Sequence, residues 1–427
     1  MGNPNWIDQV ITDCEHVETP RSWLWWSLCC AISAAAGNNY YLKTLKGAVL
    51  YKPNLYVILL GESGLGKGFP INLSKILVQR SDATRVIAGR SSIQAIVKEL
   101  STLSTRPDGR LPFDDSRGYI VNGELSTAII SDPDSLTILT DLYDGHYNPE
   151  WTNLLKGDGA EKLKEPYITA LFGSSPAHFY DSIPQVNIEG GYIGRNLIDY
   201  QEKRYKDSDL LDEEDDGELE LFPYDKHSEH LVKVSRSKGR MIPDNDARRT
   251  FNTWRKKWRA NQPSDNTGFV NRVPDHVLKT AMCLTLARLE DFNLVIGQAE
   301  IEESLERVLA LTYANKRATE GKSLVDPLAQ VTKIVLDVLL TAENHQVRRK
   351  TLANRLYSSG IADSALMDKA VDNLIDKGWI VRERVSSGKS VDWLYVMSGE
   401  PLAQYQKFIK DREVLAKRRG VVENESS

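Results

Sequence analysis

The run Leu55–Lys67 constrains this chain more than any other stretch: Leu-Tyr-Val-Ile-Leu-Leu, then Gly61-Glu-Ser-Gly64-Leu-Gly66-Lys67. Six apolar, mostly β-favouring residues lead into a glycine-rich turn, and a helical pattern opens after Pro70. A strand buried on both faces reads as a continuous apolar run, and glycines let backbone N–H groups close around a phosphate. Gly-x4-Gly-Lys is the spacing of the P-loop, where the lysine reaches the β- and γ-phosphates and a helix N-terminus adds partial positive charge. The strand before it and the helix after it separate this run from a plain glycine-rich turn. Gly61, Ser63, Gly64, Gly66, Lys67 and Gly68 are therefore the expected nucleotide-binding residues, with ATP and Mg²⁺ as cofactors. Gly68 departs from the pattern. Ser or Thr at that place would offer Mg²⁺ a hydroxyl, so the ion must be held by water, by the nucleotide or by another residue.

At 427 residues the length suggests two or three domains, and 41% hydrophobic with 26% charged residues is ample for a sizeable core. The net charge of −5 argues on its own against a nucleic-acid binder. It is unevenly placed, however. Asp207–Glu220 holds nine acidic residues and no basic one, so removing those nine charges from −5 leaves +4. The run reads as a solvated loop. Cys14, Cys29, Cys30 and Cys283 show no metal-ligand spacing and are too few for a disulfide framework. The most apolar stretch, Trp23–Ala36, is about 14 residues, short of the roughly 20 that a membrane span requires. No charged n-region or cleavage pattern precedes it. A cytoplasmic protein is expected, without membrane contact.

Along the chain, residues 5–36 read as one or two helices, the second starting at Thr19-Pro20 with Trp23, Trp25 and Trp26 packed on the core. Asn39–Leu50 is strand-like. Ser91 or Ser92 caps a helix carrying Ile93, Ile96, Val97, Leu100 and Leu103 on one face. Gly118-Tyr-Ile-Val-Asn122-Gly123-Glu124 is an apolar strand ending in an acid, the second element a P-loop ATPase needs. Such strands normally end Asp-Glu, the Asp ordering the Mg²⁺ shell and the Glu polarising the attacking water. Here the Asp place is Gly123 and only Glu124 is retained, as catalytic base or as a plain strand-end carboxylate. Trp151–Lys164 carries Gly-Asp-Gly in mid-run, a hairpin signal. Tyr167–Phe172 is another buried-type strand, and Ser174 or Ser175 follows where a γ-phosphate sensor would stand. Arg195 comes after a glycine-rich stretch, where oligomeric ATPases display an arginine finger.

Asp244–Arg259 is a very basic helical stretch whose cations could meet phosphates or simply solvate a helix face. Asp275–Arg288 and Gln298–Ala318 are strongly patterned helices, and Arg272 is a candidate second nucleotide sensor. After Asp326-Pro327, three helices and a two-stranded hairpin give the winged-helix pattern, whose third helix commonly enters the major groove. This third helix carries Asp363, Asp368, Asp372 and Asp376, which repel phosphate. Contact with DNA would then fall to Arg348, Arg349 and Lys350, or to Arg382, Arg384 and Lys389 of the wing. Contact with a protein is the other reading.

Together, Asn54-Leu-Tyr-Val, Gly61–Gly68, Glu124-Leu-Ser, Leu139–Gly145, Gly173-Ser-Ser-Pro176 and Gly191–Arg195 resemble phage and integrated-element P-loop proteins described as helicase-like or primase-associated ATPases. The resemblance covers about residues 20–205 and extends to superfamily 3 helicases and the wider AAA+ group. It implies Lys67 as phosphate lysine, Glu124 as water-activating acid, Ser174 as sensor and Arg195 as a finger for a neighbour's site. It further implies a homo-oligomeric ring in a bacterial host cell. DNA, single-stranded by expectation, would be gripped by a hairpin bearing Lys156, Lys162 and Lys164, with a primase or another replication protein as partner. The expected fold class is α/β: an AAA+-type P-loop core with a helical lid and a C-terminal winged helix. The expected bounds are an N-terminal helical segment 1–50, a core 51–205, an acidic loop 206–222, a lid 223–325, a winged helix 326–400 and a charged tail 401–427. The function expected is an ATP-dependent DNA motor or helicase loader, and the alternative is a non-hydrolysing, nucleotide-gated module.

Overall fold

A computed structural model describes residues 5–89, 92–101, 114–125, 133–145, 150–154, 160–183, 191–207, 222–263, 265, 267–289, 293–320, 327–358, 364–387, 390–398 and 402–403. The chain divides into two compact units, Met1–Thr319 and Glu320–Ser427. Both mix helices with strands, so the fold class is α/β.

In the first unit, α1 (Trp6–Asp13) and α2 (Arg21–Ala36) precede β1 (Tyr40–Thr44), β2 (Val49–Tyr51) and β3 (Tyr56–Leu60). Next come α3 (Gly68–Ser81), β4 (Arg85–Ala88), α4 (Ile93–Ser101), β5 (Arg117–Asn122) and α5 (Pro133–Tyr143). The hairpin β6 (Glu150–Leu154) and β7 (Ala160–Lys164) leads to β8 (Tyr167–Ser174), α6 (Pro176–Ser182) and β9 (Asn196–Tyr200). Five of these strands form one parallel sheet in the order β4-β5-β8-β3-β9. All five residues of β3 are buried, as its unbroken apolar run requires when both faces are covered. The pleat divides them. Val57 and Leu59 join a core with α2 and α3, while Tyr56, Ile58 and Leu60 join a second core with α4 and α5. Ser92 accepts from the Ala95 amide and so starts α4.

The chain continues with α7 (Tyr224–Arg236), β10 (Gly239–Pro243), α8 (Asn245–Asn261), α9 (Phe269–Leu286), β11 (Val295–Ile296) and α10 (Gln298–Glu320). The stretch expected as a helical lid region, 223–325, also contributes strands. β10 runs parallel to β1, Tyr40 facing Gly239, and a four-stranded sheet β11-β10-β1-β2 results. From Val273 to Leu286 every residue of α9 except Asp275 is buried, in the core that also holds Trp23 and Trp26. The helix is therefore an interior element, and it carries His276, Lys279, Thr280 and Thr285 into the core.

The second unit runs α11 (Pro327–Thr341), β12 (Gln346–Arg348), α12 (Arg349–Ser358), α13 (Ser364–Asp376), β13 (Ile380–Ser387) and β14 (Ser390–Met397). Its antiparallel sheet has the order β12-β14-β13. Val335, Leu352, Val371, Ile380 and Tyr395 meet in its core. The three-residue β12 is too short to leave a periodic signal in the sequence. Among the described residues no helix is long and apolar enough to cross a membrane.

Candidate functional site

The loop Gly61–Lys67 leaves the carboxyl end of β3, and the carboxyl ends of β5, β8 and β9 lie on the same edge of the sheet. From β3 the chain crosses to β4 at one edge of the sheet, whereas β8 is followed by β9 on the opposite side of β3. Such a reversal opens a crevice at the carboxyl ends, which is where open α/β sheets bind ligands. Gly64 and Gly66 hold φ of 89° and 87°, conformations that a side chain resists. Lys67 then turns its buried ammonium inward, donating to the Gly61 carbonyl at 2.5 Å and the Glu62 carbonyl at 2.8 Å. Burial lowers the lysine's pKa, and the negative charges of Glu124 and Glu62 act in the opposite direction.

Glu124 follows β5 on an exposed turn, its amide donating to Asn122 Oδ1 at 3.2 Å. Asn122 Nδ2 donates in turn to the Gly89 carbonyl at 3.2 Å, so that amide is committed to shaping the turn. The Leu125 amide donates to the Gly173 carbonyl at 2.6 Å and ties the turn to β8. Gly173 has to be glycine, since a Cβ there would lie 2.4 Å from the Gly123 carbonyl oxygen. Ser174 faces Leu60 across the sheet and its carbonyl accepts from the Gly61 amide at 3.2 Å. Its side chain is fully buried and donates to the Ser175 carbonyl at 3.1 Å, while Ser175 caps α6 by accepting from the His178 amide. Lys67, Glu124 and Ser174 are therefore gathered on one edge.

Arg195 is not among them. It stands just before β9, at the amino edge, a strand's length from the loop. The sequence names no partner for Arg195 in its own chain, and the structure supplies one. Its Nε and Nη2 donate to Asp144 Oδ2 at 3.0 and 2.5 Å, and Nη1 donates to the Gly191 carbonyl at 2.9 Å. Lys279, which the sequence did not single out, is buried near Asp144. Its ammonium donates to Asn54 Oδ1 at 2.7 Å and lies 3.8 Å from the Tyr143 ring centre.

The hairpin β6–β7 also belongs to the amino edge. Lys164 pairs backbone groups with Ser116, and Leu163 is buried against the core that includes α4. Any link between hairpin and loop therefore runs the length of β8. Lys162 is exposed and pairs with Glu150 at 2.9 Å; Lys156 lies outside the described residues, as does the acidic run from 208 on. In the second unit Arg349 is bound to Asp368 at 2.7 Å, and Arg382 to Asp372 at 3.3 Å. Arg348 and Lys350 are exposed. The acids of α13 thus hold two of the cations expected to meet DNA.

Sequence reasoning missed three residues that frame the loop. Trp23 lies with its ring centre 5.8 Å from Lys67 Nζ, and its indole N–H donates to the Asp199 carbonyl at 3.0 Å. Thr19 Oγ1 donates to the Gly66 carbonyl at 3.2 Å. Arg204 donates to the Gly64 carbonyl at 3.1 Å and pairs with Glu18. Only Arg204 left a usable signal: it is a cation four residues past the carboxyl end of a sheet strand, the edge where ligands bind. The described residues contain no group of three or more His, Cys, Asp or Glu that could hold a metal ion, and all four cysteines are buried and free. Comparison with protein-family models finds none that matches, and comparison with curated proteins finds none either.

Proposed function

We propose that the first unit is an ATP-binding P-loop core of the AAA+ type, working as a motor or loader on DNA in phage-type replication. One observation carries the reading: a Gly-x4-Gly-Lys loop at the switch point of a parallel sheet, with Lys67 and Glu124 on the same edge. A strand (β8) lying between the loop's strand (β3) and the acid-bearing strand (β5) supports it further, because the intervening strand brings Ser174 beside Gly61. ATP would lay its β- and γ-phosphates on the loop amides and on Lys67, with Arg204 at the rim. Glu124, exposed and without an ion pair among the described residues, would orient the attacking water. The donor set suits phosphate better than a protein-held Mg²⁺, since neither Gly68 nor Gly123 has a side-chain oxygen. The ion would enter on the nucleotide. The second unit, with its helices and two-stranded wing, is read as a winged helix. A ring of copies, and a primase or other replication partner, belong to the same proposal.

The missing oxygens at 68 and 123 favour one alternative, a nucleotide-gated module that binds without turnover. Steady-state ATP hydrolysis with and without single-stranded DNA separates the two. The motor reading expects stimulation by DNA, abolished in Glu124→Gln while ATP still binds. Absence of hydrolysis in either condition would establish the module instead.

A further inference from the structure

A groove of about 740 Å³ opens in the first unit between the β1–β2 hairpin, β10 and α8, away from the nucleotide loop. Lys43, Lys46, Arg240, Arg248 and Arg255 line it, and no Asp or Glu does. Among the described residues none of the five forms an ion pair. Nearby acids are otherwise engaged: Asp244 accepts from the Ala247 amide at the start of α8, and Asp246 pairs with Arg249. Met241, Pro274, Leu278 and Ile301 lie buried beneath the groove, and half-buried Phe251 with exposed Ile242 offers its apolar surface. Over it hangs the hairpin tip, where Leu45 and Lys46 hold φ of 48° and 56°. Left-handed backbone in side-chain-bearing residues costs on the order of 1 kcal/mol each and gathers at ligand clamps. Leu45 is 71% exposed there, an apolar side chain presented to solvent on a strained turn.

Five unneutralised cations around an apolar floor form a site for a polyanion that also carries apolar faces. We infer that this groove binds single-stranded nucleic acid, phosphates meeting the rim cations while bases rest on Phe251 and its apolar neighbours. Single-strand sites combine a positive groove with surfaces on which bases stack. A duplex would turn its bases inward and leave the floor unused, and an acidic peptide would match the rim alone. Resting on the proposed function, the groove replaces the hairpin lysines as the contact surface for its DNA. Its test uses no nucleotide, so it can fail while the ATP site stands.

The experiment is fluorescence anisotropy of a labelled oligo(dT) against the full chain over a series of salt concentrations. Each lost phosphate contact lowers the slope of log K on log salt by about 0.7, worth about fivefold in affinity at 0.1 M salt. Lys43→Ala/Arg248→Ala, both exposed positions, should therefore reduce the slope by about 1.4 and the affinity about 25-fold. A Lys162→Ala/Lys164→Ala protein should bind as the parent does. Polyglutamate at equal charge should displace little of the oligonucleotide. No binding by the parent, equal slopes for parent and groove variant, loss in the hairpin variant alone, or ready displacement by polyglutamate would each overturn the assignment.

Discussion

Gly68 and Gly123 are the two residues at which the candidate site lacks oxygens that an ATPase would use, and neither is forced by packing. A Cβ built at either meets no atom within 4 Å. Gly68 is the first residue of α3 and has no left-handed φ, so a serine fits both space and backbone. Gly68→Ser should accordingly leave the fold intact, or stabilise it by about 0.5 kcal/mol through better helix propensity. It should also lower the Mg²⁺ concentration needed for half-maximal ATP hydrolysis or, without turnover, for half-maximal ATP affinity. Magnesium titrations of parent and variant check this, and an unchanged midpoint would mean that position 68 does not face the ion. The contrast with Gly173 is instructive. There the Gly123 carbonyl leaves no room, and the glycine is dictated by the approach of two backbones.

The burial of helix α9 reaches two basic side chains, Lys279 and His276. Lys279 is pulled down to about 7, chiefly by burial; Asp144 and Asp275 favour its charge, whereas Arg272 and Arg195 oppose it. One turn earlier, burial brings His276 down to about 3, its Nε2 bonded to the Gly194 carbonyl at 2.9 Å. Both are bases with depressed folded values, so the unfolded chain holds the proton where the folded chain does not. For Lys279 that window runs from 10.5 down to about 7, and stability is lost across it as pH falls. The loss is on the order of 1 kcal/mol per pH unit. The urea midpoint should rise between pH 7.5 and 9.5 in the parent and rise less in Lys279→Met. Parallel pH profiles would show that the lysine stays charged throughout.

Across the whole molecule, the legible parts were those written in local pattern. β3 was readable from six consecutive apolar residues, the loop from its glycine spacing, the start of α4 from Ser92, and β13–β14 from the two-stranded hairpin pattern after three helices. What the sequence withheld was adjacency between distant segments. β1 and β10 lie about 200 residues apart and pair in parallel, and nothing in Gly239–Pro243 names Tyr40–Thr44 as its neighbour. The helical stripes of 275–318 therefore read as a separate lid, although α9 forms part of the main core. Arg195 looked unpartnered for the same reason, since Asp144 lies 51 residues upstream. Residues that frame the loop from afar, Thr19 and Trp23, were hidden likewise.

The nucleotide-binding reading of the first unit depends on Lys67 meeting phosphate, and calorimetric titration of ATP into the parent and Lys67→Ala tests that directly. Removing a charge-assisted contact of about 1.5–3 kcal/mol should weaken binding by at least about tenfold. The folded content by circular dichroism should stay the same, because the hydrogen bonds of Lys67 go to carbonyls of its own loop. ATP binding of equal strength in a folded Lys67→Ala protein, or none in the parent, would contradict the account.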